Sequence, residues 1–70
     1  MTEVRAPMVG KVLEVLVQPG AAVAEDDELL IIESMKMEIP VPAPAGGTVH
    51  AIHVNAGDAV QENDLLVTIT

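Results

Sequence analysis

The chain is organised around the stretch Glu33-Ser34-Met35-Lys36-Met37-Glu38-Ile39. It places one lysine between two methionines, with a glutamate further out on each side. The 70 residues contain only three basic side chains, so a lysine in such a setting stands out. The segments on either side of the stretch resemble each other, and neither contains a copy of it. We interpret those segments as a scaffold that presents Lys36.

The two flanking segments, residues 6–33 and 43–70, form an internal repeat with a constant offset of 37 residues and no gap. The matched pairs are Ala6-Pro7 with Ala43-Pro44, Gly10 with Gly47, Val12 with Val49, Val17 with Val54, Gly20 with Gly57, Ala22-Val23 with Ala59-Val60, Glu25 with Glu62, Asp27 with Asp64, Leu29 with Leu66, and Ile32 with Ile69. Agreement at the glycines, the proline and the acidic positions favours duplication over chance. We predict a single domain, residues 1–70, with pseudo-twofold symmetry.

Each repeat has the pattern of a strand, a turn, a short strand, an acidic turn and a final strand. Residues 10–17 and 47–54 are strand-like and are closed by the turn residues Gly20 and Gly57. Imperfect alternation in the second of these segments indicates a bulge or a strand partly buried on both faces. Five glycines and five prolines interrupt most windows of helix length. We therefore predict an all-β fold.

The unrepeated segment joins the two halves. Pro40, Pro42 and Pro44 alternate with small apolar residues, a pattern compatible with an extended linker or with an edge strand, where the missing N–H donor faces solvent. Because neither half is long enough to fold alone, we favour the edge strand. The predicted fold is a flattened sandwich of two halves with four short strands each, and Lys36 lies in the hairpin turn that joins the halves.

The composition excludes several classes of function. The chain has a net charge of −8 and no cysteine. Binding to nucleic acid or to an anionic membrane surface needs clustered Lys and Arg, so neither partner is expected. No apolar run is long enough to cross a bilayer, and residues 1–5 lack the features of a signal peptide. We expect a cytoplasmic protein that is a monomer in isolation and has no disulfide or thiolate metal site.

Other candidate sites have simpler explanations. His50 and His53, three residues apart in a strand, should face opposite sides, and no cysteine or third histidine joins them, so we predict no metal site. Residues 25–28 are acidic but lack the alternating ligands and the turn glycine of an EF-hand loop, and their repeat partner indicates a structural turn. Ser34 has no histidine partner in the local sequence. We expect no catalytic residues in this chain.

The central stretch resembles the attachment motif of biotinyl domains, the biotin carboxyl carrier family, in which a central Met-Lys-Met holds the modified lysine. The resemblance covers essentially the whole chain and extends to Ala6-Pro7, Gly10, Gly20, Val23, Gly46-Gly47-Thr48-Val49, Gly57-Asp58 and Val60. It implies a flattened β-barrel of two four-stranded antiparallel sheets, called a barrel-sandwich hybrid, with Lys36 at the tip of a β-hairpin. The chain is similar to compact members that lack a protruding "thumb", and it has Ser34 where many carriers have alanine.

The resemblance also implies a function. A biotin protein ligase would join biotin to Lys36 through an amide, and the flanking recognition positions would be Glu33, Ser34, Met35, Met37 and Glu38. The biotinyl group would carry a carboxyl group from a biotin carboxylase to a carboxyltransferase of a biotin-dependent carboxylase, such as an acyl-CoA carboxylase, or of a related transcarboxylase or decarboxylase. Because an exposed lysine amine is mostly protonated at neutral pH, its activation must come from the ligase.

Two alternatives remain open. The first is a lipoyl carrier of the same fold, which moves acyl or aminomethyl groups; lipoyl domains usually have an acidic residue directly before the lysine, where this chain has Met35. The second is an adaptor module in which Lys36 stays unmodified. Met35 and Met37 are either core filler or exposed recognition residues, and we expect exposure. Lys11 aligns with Thr48 in the repeat and has no motif around it, so we interpret it as surface charge.

Overall fold

The computed structural model describes all 70 residues and contains eight β-strands and no helix. The strands are β1 (Thr2–Arg5), β2 (Gly10–Val15), β3 (Ala22–Val23), β4 (Glu28–Ser34), β5 (Met37–Pro42), β6 (Gly47–Ile52), β7 (Ala59–Val60) and β8 (Leu65–Ile69). They form two four-stranded antiparallel sheets, with the strand orders β1-β8-β6-β3 and β5-β4-β2-β7. The predicted all-β fold with two four-stranded antiparallel sheets is confirmed. None of the chain forms a helix that could span a membrane.

The strand pairings of the two sheets correspond to each other at an offset of 37 residues. The β1–β8 pair Val4↔Val67 corresponds to the β5–β4 pair Val41↔Leu30. The pairing of β6 with β8 likewise corresponds to the pairing of β2 with β4. The pairing of β3 with β6 corresponds to the pairing of β7 with β2. Each sheet therefore takes strands from both repeats: β3 of the first repeat joins β6 and β8 of the second. Neither half can complete a sheet without the other.

The core between the sheets is entirely aliphatic. Its buried members are Val4, Ala6, Val12, Val23, Leu29, Leu30, Ile32, Val41, Ala43, Val49, Val60, Leu66, Val67 and Ile69. The adjacent residues Leu29 and Leu30 of β4 are both buried, and so are the four consecutive residues 66–69 of β8. The strand register shifts at Leu29 and at Leu66, which turns an additional side chain inward at each place. Similar shifts occur after Val12 and after Val49. The imperfect alternation read from the sequence is therefore a β-bulge.

The turns define where the strands end. The predicted strands over residues 10–17 and 47–54 are each two residues too long, since β2 ends at Val15 and β6 at Ile52. The chain then enters turns in which Gly20 and Gly57 have φ of 91° and 97°, a conformation that favours glycine. In the acidic turns the carboxylates of Asp27 and Asp64 accept backbone N–H bonds at 2.9 and 2.8 Å from Ala24 and Gln61. Residues 25–27 therefore form a structural turn, as the repeat indicated, and Glu28 already begins β4.

The proline-rich segment lies at a sheet edge, as predicted. β5 pairs only with β4 and contains Pro40 and Pro42, whereas Pro44 follows the strand. A proline in a central strand would remove a hydrogen bond of the ladder, and at the edge it does not. β5 is joined to its one neighbour, β4, by a hairpin whose turn lies at residues 35 and 36.

Candidate functional site

The candidate site is the hairpin between β4 and β5, where Ser34 and Met37 close a two-residue turn. Met35 and Lys36 both have positive φ values, 53° and 64°. Positive φ at both central residues is the geometry of a type I′ turn, which matches the twist of a tight hairpin and normally uses Asn-Gly. Held in this left-handed conformation, each of the two residues costs roughly 1 kcal/mol or more. The strain is tolerated because the β4–β5 ladder leaves only two residues to reverse the chain.

The turn directs all three central side chains into solvent. Lys36 is exposed, and the exposed fractions of Met35 and Met37 are 78% and 56%. The methionines are thus not core filler, in agreement with the expected exposure. A lysine between two exposed apolar side chains offers an amine together with a soft surface that adapts to a partner.

The charges around the hairpin are arranged in a row across the sheet. Glu33 and Glu38 are directly opposite each other, and Lys11 of β2 pairs with the other side of Glu33. All three are exposed. The only ion pair in the chain lies elsewhere, so no carboxylate holds the Lys36 amine in place. The amine is free to move on its four-carbon stem.

Ser34 differs from the other flanking residues because its side chain is buried, with 5% exposed. Its hydroxyl donates a hydrogen bond of 2.8 Å to the carbonyl oxygen of Val9, in the segment between β1 and β2. It was predicted to flank the lysine as a recognition position, but the hydroxyl faces into the fold and is shielded from a partner. Sequence reasoning missed this contact, since nothing in the local pattern links residues 25 positions apart.

Gly10 explains how the segment before β2 approaches the base of the hairpin. A Cβ atom at Gly10 would lie 2.5 Å from both the Glu33 carbonyl oxygen and the Ile32 Cγ2. Such distances are shorter than real Cβ contacts, so only glycine allows this approach. The repeat partner Gly47 is packed in the same way against Ile69 and Thr70. The Gly10–Gly47 match was the one signal in the sequence for this close packing.

The remaining candidate residues do not converge on a second site. His50 and His53 are both exposed, and His53 lies beyond the end of β6, so the alternation of strand side chains does not apply to it. No group of three or more His, Asp or Glu side chains is arranged to hold a metal ion. Two shallow surface cavities exist, and neither is lined by residues 33–38. The hairpin therefore protrudes without a pocket of its own.

Comparison with known proteins gives consistent results. Residues 2–69 match the biotin/lipoyl family model, which is described as "Biotin-requiring enzyme". The chain is 46% identical over 68 residues to the biotinylated protein TB7.3 homolog of Mycobacterium leprae, which covers 97% of this chain and 96% of that protein. It is 51% identical over 65 residues to the human mitochondrial propionyl-CoA carboxylase alpha chain. That alignment covers 93% of this chain but only 9% of the carboxylase chain.

Among solved structures, the lipoyl domain of the 2-oxoglutarate dehydrogenase complex from Azotobacter vinelandii matches with a TM-score of 0.84 and 32% identity. That match covers 100% of this chain and 96% of the lipoyl domain. The chain thus spans nearly the full length of two small relatives and less than a tenth of the carboxylase chain.

Proposed function

The chain belongs to the biotin/lipoyl family, and on that premise we propose that it is a biotin carboxyl carrier whose Lys36 bears biotin in amide linkage. The observation that carries the proposal is the presentation of Lys36: an exposed amine without an ion pair, at the tip of a type I′ hairpin, between two exposed methionines. The name of the Mycobacterium leprae relative, a biotinylated protein of almost the same length, supports it.

Attachment of biotin is an acyl transfer that the chain cannot perform alone. The Lys36 Nζ forms a C–N bond to the biotinyl carbonyl carbon of an adenylate, AMP leaves, and Nζ loses a proton. No histidine or buried carboxylate lies at the hairpin to accept that proton, and no pocket surrounds the amine. A biotin protein ligase must therefore supply the base and the adenylate, while the hairpin supplies a reachable nucleophile.

The same features suit a carrier that visits two enzymes. When bound, biotin carries the transferred group. The rigid scaffold fixes the backbone at residues 34–37, and the flexible lysine stem gives the cofactor reach. We propose that the partners are a biotin carboxylase and a carboxyltransferase and that this chain contributes no catalytic residue. The propionyl-CoA carboxylase relative supports that class of partner. A monomeric state and a cytoplasmic location stay predictions.

A lipoyl carrier is the second candidate, because the Azotobacter lipoyl domain has the same fold over its whole length. The backbone fold alone does not separate the two cofactors. The neutral, apolar side chain of Met35, directly before the lysine, favours biotin. A lipoyl ligase would recognise the same hairpin. The biotin and lipoyl hypotheses therefore predict different modifications of Lys36 when the protein is treated with each ligase.

That experiment is the intact mass of the protein after incubation with a biotin ligase and, separately, with a lipoate ligase, followed by peptide mapping. The chain offers only three amines, Lys11, Lys36 and the N-terminus. We expect one biotinyl group, on Lys36, and no lipoyl group. A lipoyl group alone would move the protein to the acyl carriers, and an unmodified Lys36 with both active ligases would favour an adaptor.

A further inference from the structure

A single hydrogen bond holds residues 7–9, the segment between β1 and β2. It is the bond of 2.8 Å from the Ser34 hydroxyl to the Val9 carbonyl oxygen. The backbone of residues 7–9 makes no other hydrogen bond, although the flanking residue Ala6 bonds to Asn63 and Asp64. Loss of the Ser34 hydroxyl would therefore leave this segment without any hydrogen bond to the fold.

Ser34 is also the last residue before the hairpin turn, since β4 ends there and Met35 follows in the left-handed conformation. One buried hydroxyl thus connects the base of the Lys36 hairpin to residues 7–9. The repeat partner of Val9 is Gly46, and its carbonyl oxygen accepts no side-chain hydrogen bond.

The segment that Ser34 holds carries an exposed apolar side chain. Val9 is 62% exposed, and with Met35 and Met37 it accounts for three of the six exposed large hydrophobic residues of the chain. The repeat partner of Met8-Val9 is Ala45-Gly46, which offers no such surface. Exposed apolar side chains that gather at one end of a duplicated scaffold indicate contact with a partner rather than a packing role.

We propose that Ser34 is a positioning residue: its hydroxyl fixes Val9 beside the hairpin, so that Val9, Met35 and Met37 present Lys36 as one pre-organised surface to the biotin ligase. The inference rests on the proposed function of Lys36. Its physical basis is that a surface ordered before binding avoids the entropy loss of ordering a loop on contact. Because only recognition of the carrier is affected, loss of the hydroxyl raises KM and leaves kcat unchanged.

Ligase kinetics with the carrier as varied substrate test the proposal. We expect Ser34→Ala to raise KM for the carrier about fivefold without changing kcat, and Ser34→Thr, which keeps a hydroxyl, to restore KM. Thr68→Val is the matched control, since the Thr68 hydroxyl is buried and has no hydrogen-bond partner; its KM should equal that of the wild type. A wild-type KM for Ser34→Ala, a lowered kcat, or a raised KM for Thr68→Val would overturn the proposal.

A double-mutant cycle with Val9→Ala tests whether Ser34 acts through Val9. If it does, Ser34→Ala should have at most a small further effect on KM in a Val9→Ala background. Fully additive effects on KM would overturn the proposed route. Circular dichroism would reveal whether the added methyl group of Ser34→Thr unfolds the protein. In that case the double-mutant cycle alone tests the positioning role of Ser34.

Amide hydrogen exchange on the unmodified protein separates failure of this inference from failure of the proposed function. Ser34→Ala should speed exchange at the backbone amides of position 34 and Met37, which close the hairpin, and leave the amides of Thr48 and Thr70 at the other end unchanged. Unchanged exchange at the hairpin would overturn the positioning role even if biotin is attached. Faster exchange in a protein that accepts no biotin would refute the carrier function instead.

Discussion

The two ends of this molecule have the same scaffold and different uses. At one end, Lys11 and Glu33 are cross-strand neighbours just before the Lys36 hairpin. At the other end, 37 residues along the chain, Thr48 and Thr70 occupy the corresponding places and exchange two backbone hydrogen bonds of 3.1 and 2.8 Å. The close glycine packing is also repeated at both ends. The ends differ in the two strained residues of the turn, in the Ser34 hydrogen bond, and in the exposed apolar side chains.

The differences between the two ends separate the features of the scaffold from those of the functional site. Features that occur twice, such as the turn glycines Gly20 and Gly57 and the carboxylates of Asp27 and Asp64, hold the strands in register. The strained two-residue turn, the Ser34 hydrogen bond and the two exposed methionines occur once, and all of them lie next to Lys36 in the hairpin. A duplicated chain thus contains its own control, because each repeated residue near the hairpin, such as Gly10, can be tested against its counterpart, here Gly47.

Replacing the lysine should have the largest effect. Lys36→Arg should abolish biotin incorporation, because a guanidinium is effectively always protonated and is not a nucleophile. Lys11→Arg should be labelled like the wild type, since we interpret Lys11 as surface charge. Intact mass after ligase treatment measures the labelling, and circular dichroism checks that both variants fold. Labelling of Lys36→Arg would exclude Lys36 as the attachment site.

The glycine pair should show the next largest effect and test how rigid each end is. In Gly10→Ala the new methyl group would meet β4 at Glu33, which is held on both sides by Lys11 and Glu38. We expect a loss of about 3 kcal/mol in the free energy of unfolding. Gly47→Ala meets Thr70, which is held on one side only and can shift, so its loss should be about 1 kcal/mol.

Urea unfolding would measure both glycine variants. Gly46→Ala serves as control, because the nearest atom to its Cβ would be the Val23 carbonyl oxygen at 3.4 Å, and it should lose little stability. Equal losses at Gly10 and Gly47 would show that Thr70 is as firmly held as Glu33, and the proposed difference in rigidity would then be wrong.

A pair of reciprocal substitutions compares turn strain in the hairpin with turn strain in the scaffold. Met35 and Asn63 have φ of 53° and 71°, and asparagine tolerates this conformation better than methionine. Met35→Asn should therefore raise the free energy of unfolding by about 1 kcal/mol, and Asn63→Met should lower it by a similar amount. Thermal unfolding measures both. We also expect Met35→Asn to be biotinylated more slowly, and a destabilised Met35→Asn would contradict the strain assigned to the turn.

The smallest expected effect concerns charge. Glu33 and Glu38 are like charges directly opposite each other on exposed strands. Glu38→Gln should raise stability by about 0.3 kcal/mol at low ionic strength, and the gain should disappear in high salt. Glu28→Gln is the control, because the residue opposite Glu28 is the uncharged Pro42. A gain for Glu38→Gln that persists in high salt would show that charge repulsion is not its cause.

Much of this architecture could be predicted from the sequence. The repeat is visible as matched residues, and glycine and proline mark the turns and the strand ends near their own positions. The edge strand followed from Pro40 and Pro42, and the bulge from imperfect alternation. Exposure of the two methionines was favoured over core filler and is confirmed. The predicted ends of β2 and β6 were each two residues too late, since the backbone leaves the hydrogen-bonded ladder before the apolar pattern stops. The Ser34–Val9 bond was not predicted at all.

The fold class follows from the sequence alone, as do the duplicated scaffold and the position of Lys36 in a hairpin, because strand patterns and turn residues are properties of neighbours along the chain. The packing of the two layers sets which strands share a sheet, with β3 and β7 each crossing to the sheet of the other repeat. It also decided that Ser34 faces inward to Val9 and that Glu33 faces Glu38 outside. These contacts depend on how two layers close over one aliphatic core, and that closure joins residues far apart in sequence.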